Sequence, residues 1–145
     1  MQDLPHHYKV AATAAPAGDV NLESDGVDSL LSAAPSEFGG PGDKWSPETL
    51  LVASVADCFV LSFRAISRNS KLAWTSLHCH VEGTLEREQG VTKFTAFTVR
   101  ATLHAPPDVN EERARRILQK AEDTCLITNS LTGTTRLEAE VVLGT

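Results

Sequence analysis

Ser46-Pro47-Glu48-Thr49-Leu50-Leu51-Val52-Ala53-Ser54-Val55-Ala56-Asp57-Cys58-Phe59 is the stretch on which the reading of this chain turns. Ser46 is a good helix N-cap, Pro47 fits the first helical position, and Glu48 complements the positive end of the helix dipole. The helix runs on to about Arg68. Up to Phe63 it is apolar around most of its circumference, which implies burial on nearly all sides. Such a helix is roughly 30 Å long at about 1.5 Å per residue, too much for a chain of 145 residues to wrap alone. Cover from sheets of this subunit and of a partner is the easier solution.

Working outward, the N-terminal third reads as a small meander. Tyr8 to Thr13, Val20 to Glu23 and Val27 to Ser32 are strand candidates, separated by turn chemistry at Pro16-Ala17-Gly18-Asp19 and Ser24-Asp25-Gly26. Glu37-Phe38-Gly39-Gly40-Pro41-Gly42-Asp43-Lys44 is a loop. Beyond the helix, Trp74 to Glu86 and Val91 to Leu103 alternate as a hairpin joined at Arg87-Glu88-Gln89-Gly90. Strict alternation puts Phe94, Ala96 and Thr98 on one face and Phe97, Val99 and Ala101 on the other. Pro106-Pro107 ends the hairpin. Asp108, with Glu111 three residues later, marks a second helix start. Ala114, Ile117, Leu118 and Ala121 supply that helix's apolar stripe. Leu137 to Leu143 is the last strand. The order β-β-β-α-β-β-α-β predicts an α+β class and one domain over residues 1–145.

Composition narrows the function. A net charge of −6 and a pI near 5.3 argue against a nucleic-acid partner, whose footprint is basic. Leu50 to Phe63 is interrupted by Ser54, Asp57 and Ser62, so it reads as too short and too polar to span a bilayer. The N-terminus has no apolar signal core, which makes a cytoplasmic location the expectation. Three cysteines do not make a disulfide framework, and in a reducing cytosol any bridge is transient and catalytic.

Cys58, in the apolar helix, is either core filling or a nucleophile; a buried thiol becomes a thiolate only beside a cation or hydrogen-bond donors. Asp57 is adjacent but projects in another direction on a helix, and its charge has the wrong sign. Glu48 lies ten residues, roughly 15 Å, before Cys58. It serves a Cys58 site only if it comes from a neighbouring subunit whose helix packs antiparallel. Cys125 follows the second helix and reads either as core or as a resolving thiol. Cys79 faces inward on a strand and reads as packing. His78 and His80 share a strand face, but two ligands do not complete a zinc site. No metal and no cofactor is expected. Gly39-Gly40-Pro41-Gly42 lacks the lysine and serine of a phosphate loop.

Together, Pro35-Ser36-Glu37-Phe38-Gly39-Gly40-Pro41-Gly42, Trp45-Ser46-Pro47-Glu48-Thr49-Leu50-Leu51, Ala56-Asp57-Cys58 and Ala121-Glu122-Asp123-Thr124-Cys125-Leu126-Ile127 resemble the OsmC/Ohr family, the osmotically induced and organic hydroperoxide resistance proteins. The resemblance runs from about Tyr8 onward. It implies an intertwined homodimer with two central helices between sheets, and a thiol-dependent peroxidase that reduces organic hydroperoxides at the expense of an external thiol. By position Cys58 resembles the peroxidatic cysteine, Cys125 the resolving one, and Glu48 the acidic partner across the dimer. No metal or flavin is implied. The chain departs from the pattern in one place: its first arginine is Arg64, so the family's N-terminal arginine, which pairs with the glutamate, has no counterpart. The alternative function is a hydrophobic-ligand-binding or thiol-redox-sensing member without peroxidase activity.

Overall fold

The computed structural model describes residues 1–144. The chain divides into two compact units, Met1–Leu51 and the residues from Val52 onward.

In the first unit β1 (Ala11–Thr13), β2 (Val20–Glu23) and β3 (Leu30–Ser32) form the expected antiparallel meander, with Ala12 opposite Leu22 and Asn21 opposite Leu31. The flanking strands are shorter than predicted. After β3 a short 3-10 turn, Ser36–Phe38, closes on Gly39 at φ 85. A Cβ on Gly40 would stand 1.7 Å from the Ala34 carbonyl oxygen, so only glycine fits there. The segment then bridges Ser32 to Trp45 and enters α1 (Pro47–Asn69).

The start of α1 bears out the capping expectation. Ser46 Oγ accepts from the Thr49 amide at 3.1 Å, and the Ser46 amide donates to Thr49 Oγ1 at 2.9 Å. This is a capping box with threonine in place of the usual glutamate or glutamine. The length of α1 overturns the expectation that its apolar stretch is too short and too polar to span a bilayer. The helix has 23 residues and, by length and composition, is long and apolar enough to cross one. Its interruptions are mostly small serines rather than charges, and it continues past Phe63. Only 17% of its apolar window is buried within the chain. The buried positions form one stripe, Val55, Phe59, Phe63 and Ser67.

The second unit is built on a three-stranded sheet in which β5 (Val91–Ala105) is central, antiparallel to β4 (Ser76–Glu88) and parallel to β6 (Thr134–Leu143). Glu88 pairs with Val91 across a two-residue turn, Gln89-Gly90, and both turn residues have positive φ, as a type I′ hairpin requires. The inner face carries Phe97, Val99, Ala101 and Leu103, all buried, while Arg100 on the outer face pairs with Glu82 and Glu138. A bulge between Thr84 and Leu85 corrects the predicted alternation. It leaves one extra residue on β5, so Phe94 turns to the inner side and stacks on Phe97 at 5.5 Å.

The inner face is held against α1 at two points. A Cβ on Gly83 would meet Val52 Cγ2 at 2.9 Å, and Trp74 packs edge-on against Phe63 at 5.3 Å while donating to Ser67 Oγ. α2 (Glu111–Asp123) buries Ala114, Ile117, Leu118 and Ala121, the predicted stripe. Its cap is Asn110, which accepts from the Arg113 amide at 2.8 Å, rather than Asp108. Asp108 is consumed by the turn closed by the Val109 amide on the Pro106 carbonyl. A one-turn helix not foreseen in the sequence, α3 (Leu126–Asn129), follows, with Cys125 at its N-cap position.

Candidate functional site

Cys58 lies half-buried in the middle of α1, with its Sγ 3.9 Å from the Ser62 hydroxyl one turn on. Cys125, 1% exposed, is delivered by the break between α2 and α3. The two thiols act on one another electrostatically. Burial pushes the Cys125 thiol above its ordinary range; the Thr128 amide and hydroxyl act the other way; and the Cys58 thiol pushes it up again, by hydrogen bond and by charge. The pair therefore disfavours two thiolates side by side.

Cys58 lines an open groove of about 410 Å³, with Leu61, Ala65, Leu126, Ile127 and Asp57 among others. Leu126 and Leu61 are 66% and 50% exposed, so the walls offer apolar surface to solvent. Asp57, which projects in another direction from α1 than Cys58, lines the same groove, which is wide enough to include both. No lysine or arginine lines this groove.

Cys79 keeps the inward position that its strand phase predicts. In the structure it sits on the inner face of β4 beside Leu77 and Val81, opposite Ala101, and within electrostatic reach of Cys125. Burial first, then that charge, pushes its thiol up to about 11. The inward phase of β4 was legible; the neighbour across the core was not.

Glu48, in the first turn of α1, borders a separate apolar cavity of about 560 Å³ in the first unit, with Ala12, Val20, Leu22, Phe38 and Leu50. Its Oε1 is shut off from solvent with no hydrogen-bond partner among the described residues. An unmatched buried carboxylate oxygen costs on the order of 1–3 kcal/mol, so the position calls for a donor. Ten residues of unbroken helix separate Glu48 from Cys58. Arg64 and Arg68 are exposed and, among the described residues, in no ion pair. His78 and His80 stand on the exposed side of β4, and no group of three metal-ligating side chains gathers among the described residues.

Comparison with known proteins places the fold. The chain is 29% identical to the uncharacterized protein YmaD of Bacillus subtilis strain 168, over 96% of both chains. Its fold matches an OsmC-like protein of unknown function from Vibrio cholerae with a TM-score of 0.84 at 18% identity, covering 93% of this chain and 99% of that one. It also matches two structures described as organic hydroperoxide resistance proteins. The Legionella pneumophila one has a TM-score of 0.75 at 23% identity, and the Elizabethkingia anophelis one 0.77 at 21%; in both cases 97% of this chain and 99% of the other are covered. The model of the OsmC-like protein family matches residues 40–140, a span that holds the α1 cap, all three cysteines and all of the second sheet but the end of β6, and the chain belongs to that family.

Proposed function

We propose that the protein is a thiol peroxidase that reduces organic hydroperoxides. The observation that carries this reading is that the Cys58 and Cys125 thiols act on one another by hydrogen bond and charge, with Cys58 lining an apolar groove. In the reaction, the Cys58 thiolate attacks the terminal peroxide oxygen. The O–O bond breaks, the alkoxide leaves and takes a proton, and Cys58 becomes a sulfenic acid. The Cys125 sulfur then attacks the Cys58 sulfur; hydroxide leaves as water and the two cysteines form a disulfide. An external thiol reduces it through a mixed disulfide. The apolar walls at Leu61, Leu126 and Ile127 suit the alkyl or aryl body of an organic hydroperoxide, and Asp57 at the rim disfavours anionic ones. The chemistry calls for no metal or flavin.

The second part of the proposal is a homodimer. A 23-residue helix whose apolar window is 17% buried within its own chain needs further cover, and Glu48 needs a donor. A second copy with its α1 packed antiparallel answers both, and sets Glu48 of one subunit near Cys58 of the other, with Arg64 of the second copy the candidate cation. The homologues at hydroperoxide resistance and the acidic, thiol-bearing site fit a cytoplasmic enzyme.

A second reading is favoured by one observation. With no lysine or arginine lining the Cys58 groove, the thiol has no cation of its own chain to hold it ionised, which suits an apolar-ligand binder or a redox sensor. Thiol counting separates the two. Reduced protein mixed with one equivalent of cumene hydroperoxide is expected to lose two thiols to one intramolecular disulfide, with Cys58→Ser inert and Cys125→Ser stopping at the sulfenic acid. Unchanged thiols in the wild type would reject the peroxidase and favour the binder.

A further inference from the structure

The groove beside Cys58 carries a single ionic side chain. Cys58, Ser62 and Ala65 follow one another along α1 at helical spacing, and Asp57 and Leu61, also one turn apart, flank them on one side. Every other residue that lines the groove is apolar or a serine. Asp57 is exposed, and no ion pair among the described residues neutralises it. The two thiols are not equally open to this groove. Cys58 is half-buried and lines it, whereas Cys125 is 1% exposed and does not. A reagent that enters the groove from solvent therefore reaches Cys58, and does so beside the Asp57 carboxylate.

We propose that Asp57 is a charge filter that fixes the class of both reactants at Cys58: neutral or cationic hydroperoxides, and neutral or cationic reducing thiols, with anionic ones turned away. The reductant half rests on the peroxidase reading for the disulfide to be reduced. In that step the reductant thiolate bonds to Cys58 Sγ, the Cys58–Cys125 bond breaks, and Cys125 leaves with the electron pair and takes a proton. A second reductant thiolate attacks the first reductant's sulfur, and Cys58 leaves as the thiolate. The reductant is oxidised to its own disulfide and both cysteines are reduced. The mixed disulfide stands on Cys58, so whatever charge the reductant carries is held next to Asp57 until the second attack.

Asp57 works from an exposed position, so its effect is modest and falls with salt. Within about 10 Å of a thiol in water, one carboxylate changes the rate of a singly charged reagent by about twofold or more, and the ratio between two reagents of opposite charge by about fourfold or more. The chain's net charge of −6 acts in the same direction from farther off. Removal of a remote acid therefore separates the two effects.

The test reads Cys58 with two methanethiosulfonates of similar size, one bearing a trimethylammonium and the other a sulfonate. Reduced full-length protein is treated with each at low salt, and labelling of the Cys58 peptide is timed by mass spectrometry. The ratio of the two rates, divided by the same ratio for 2-mercaptoethanol, cancels the thiolate fraction. Expected is a ratio that favours the cation, drops about fourfold in Asp57→Asn, and is kept in Asp57→Glu. It is also kept in Glu140→Gln, which removes the same charge from exposed β6. A second arm starts from protein bridged with diamide and compares reduction by cysteamine with reduction by 2-mercaptoethanesulfonate; the same drop is expected in Asp57→Asn. Equal labelling ratios in wild type and Asp57→Asn overturn the filter, and an unmoved second arm overturns its reductant half. Cumene hydroperoxide, which is neutral, reads the peroxidase separately. If it leaves the wild-type thiols unchanged while the labelling ratio moves with Asp57, the peroxidase reading falls and the filter on Cys58 stands. If it oxidises them while the ratio does not move, the filter falls and the peroxidase reading stands.

Discussion

Cys58, Cys125 and Glu48 are each set by a different local device. Cys58 is carried by an unbroken helix, Cys125 by the break between two helices, and Glu48 by the capped first turn of α1. Glu48→Gln keeps the shape but removes the charge. If its buried oxygen meets a donor from the second copy, the substitution slows peroxide-driven thiol loss by about tenfold or more, since hydrogen bonds to charged groups contribute roughly 1.5–3 kcal/mol; stopped-flow thiol decay reads it. The thiols also carry a pH signature. Cys79 and Cys125 hold their protons more tightly folded than unfolded, so their contribution is complete below about pH 9. It is lost as pH rises from the ordinary thiol range near 9.0 through the folded value of about 11 for Cys79. The midpoint of thermal unfolding is expected to fall between pH 9 and pH 11, and to fall less in Cys79→Ala.

At the scale of elements, the junctions that aim the site are testable one at a time. Ser46→Ala removes the reciprocal pair with Thr49 and is expected to cost about 1 kcal/mol in urea unfolding. Gly83→Ala pushes a methyl to 2.9 Å from Val52 Cγ2 and 3.0 Å from the Phe94 ring. Valine has little rotamer freedom in a helix, so the strand and α1 must part, at an expected cost of about 1–3 kcal/mol. Element types were largely legible from period and turn chemistry: the Gln89-Gly90 hairpin, the α1 cap and the α2 stripe all stand where the residues put them. The bulge at Thr84 was not, because nothing in the alternation of β5 announces the single residue that brings Phe94 round to the inner face.

For the whole molecule, the homodimer is the claim to test. Light scattering is expected to give twice the 15.6 kDa chain mass. Complementation is the sharper measurement. Glu48→Gln and Cys58→Ser are each expected to be inactive or severely slowed, yet a mixture refolded together should regain about a quarter of wild-type activity, since half the dimers are mixed and each has one intact shared site. No recovery in verified mixed dimers would place Glu48 outside the Cys58 site.

By itself the sequence determined the family, the order of strands and helices, the helix that bears Cys58, and the inward face of β4. These follow from short-range rules: capping, period, turn residues and a run of motifs in fixed order. The influence of Cys58 on Cys125 and of Cys125 on Cys79, the groove that Cys58 shares with Leu126 and Ile127, and the stranded oxygen of Glu48 were decided only by tertiary structure. Each depends on the distance at which separate elements of the fold come to lie. Neither spacing nor composition encodes that distance, because packing of side chains between elements sets it.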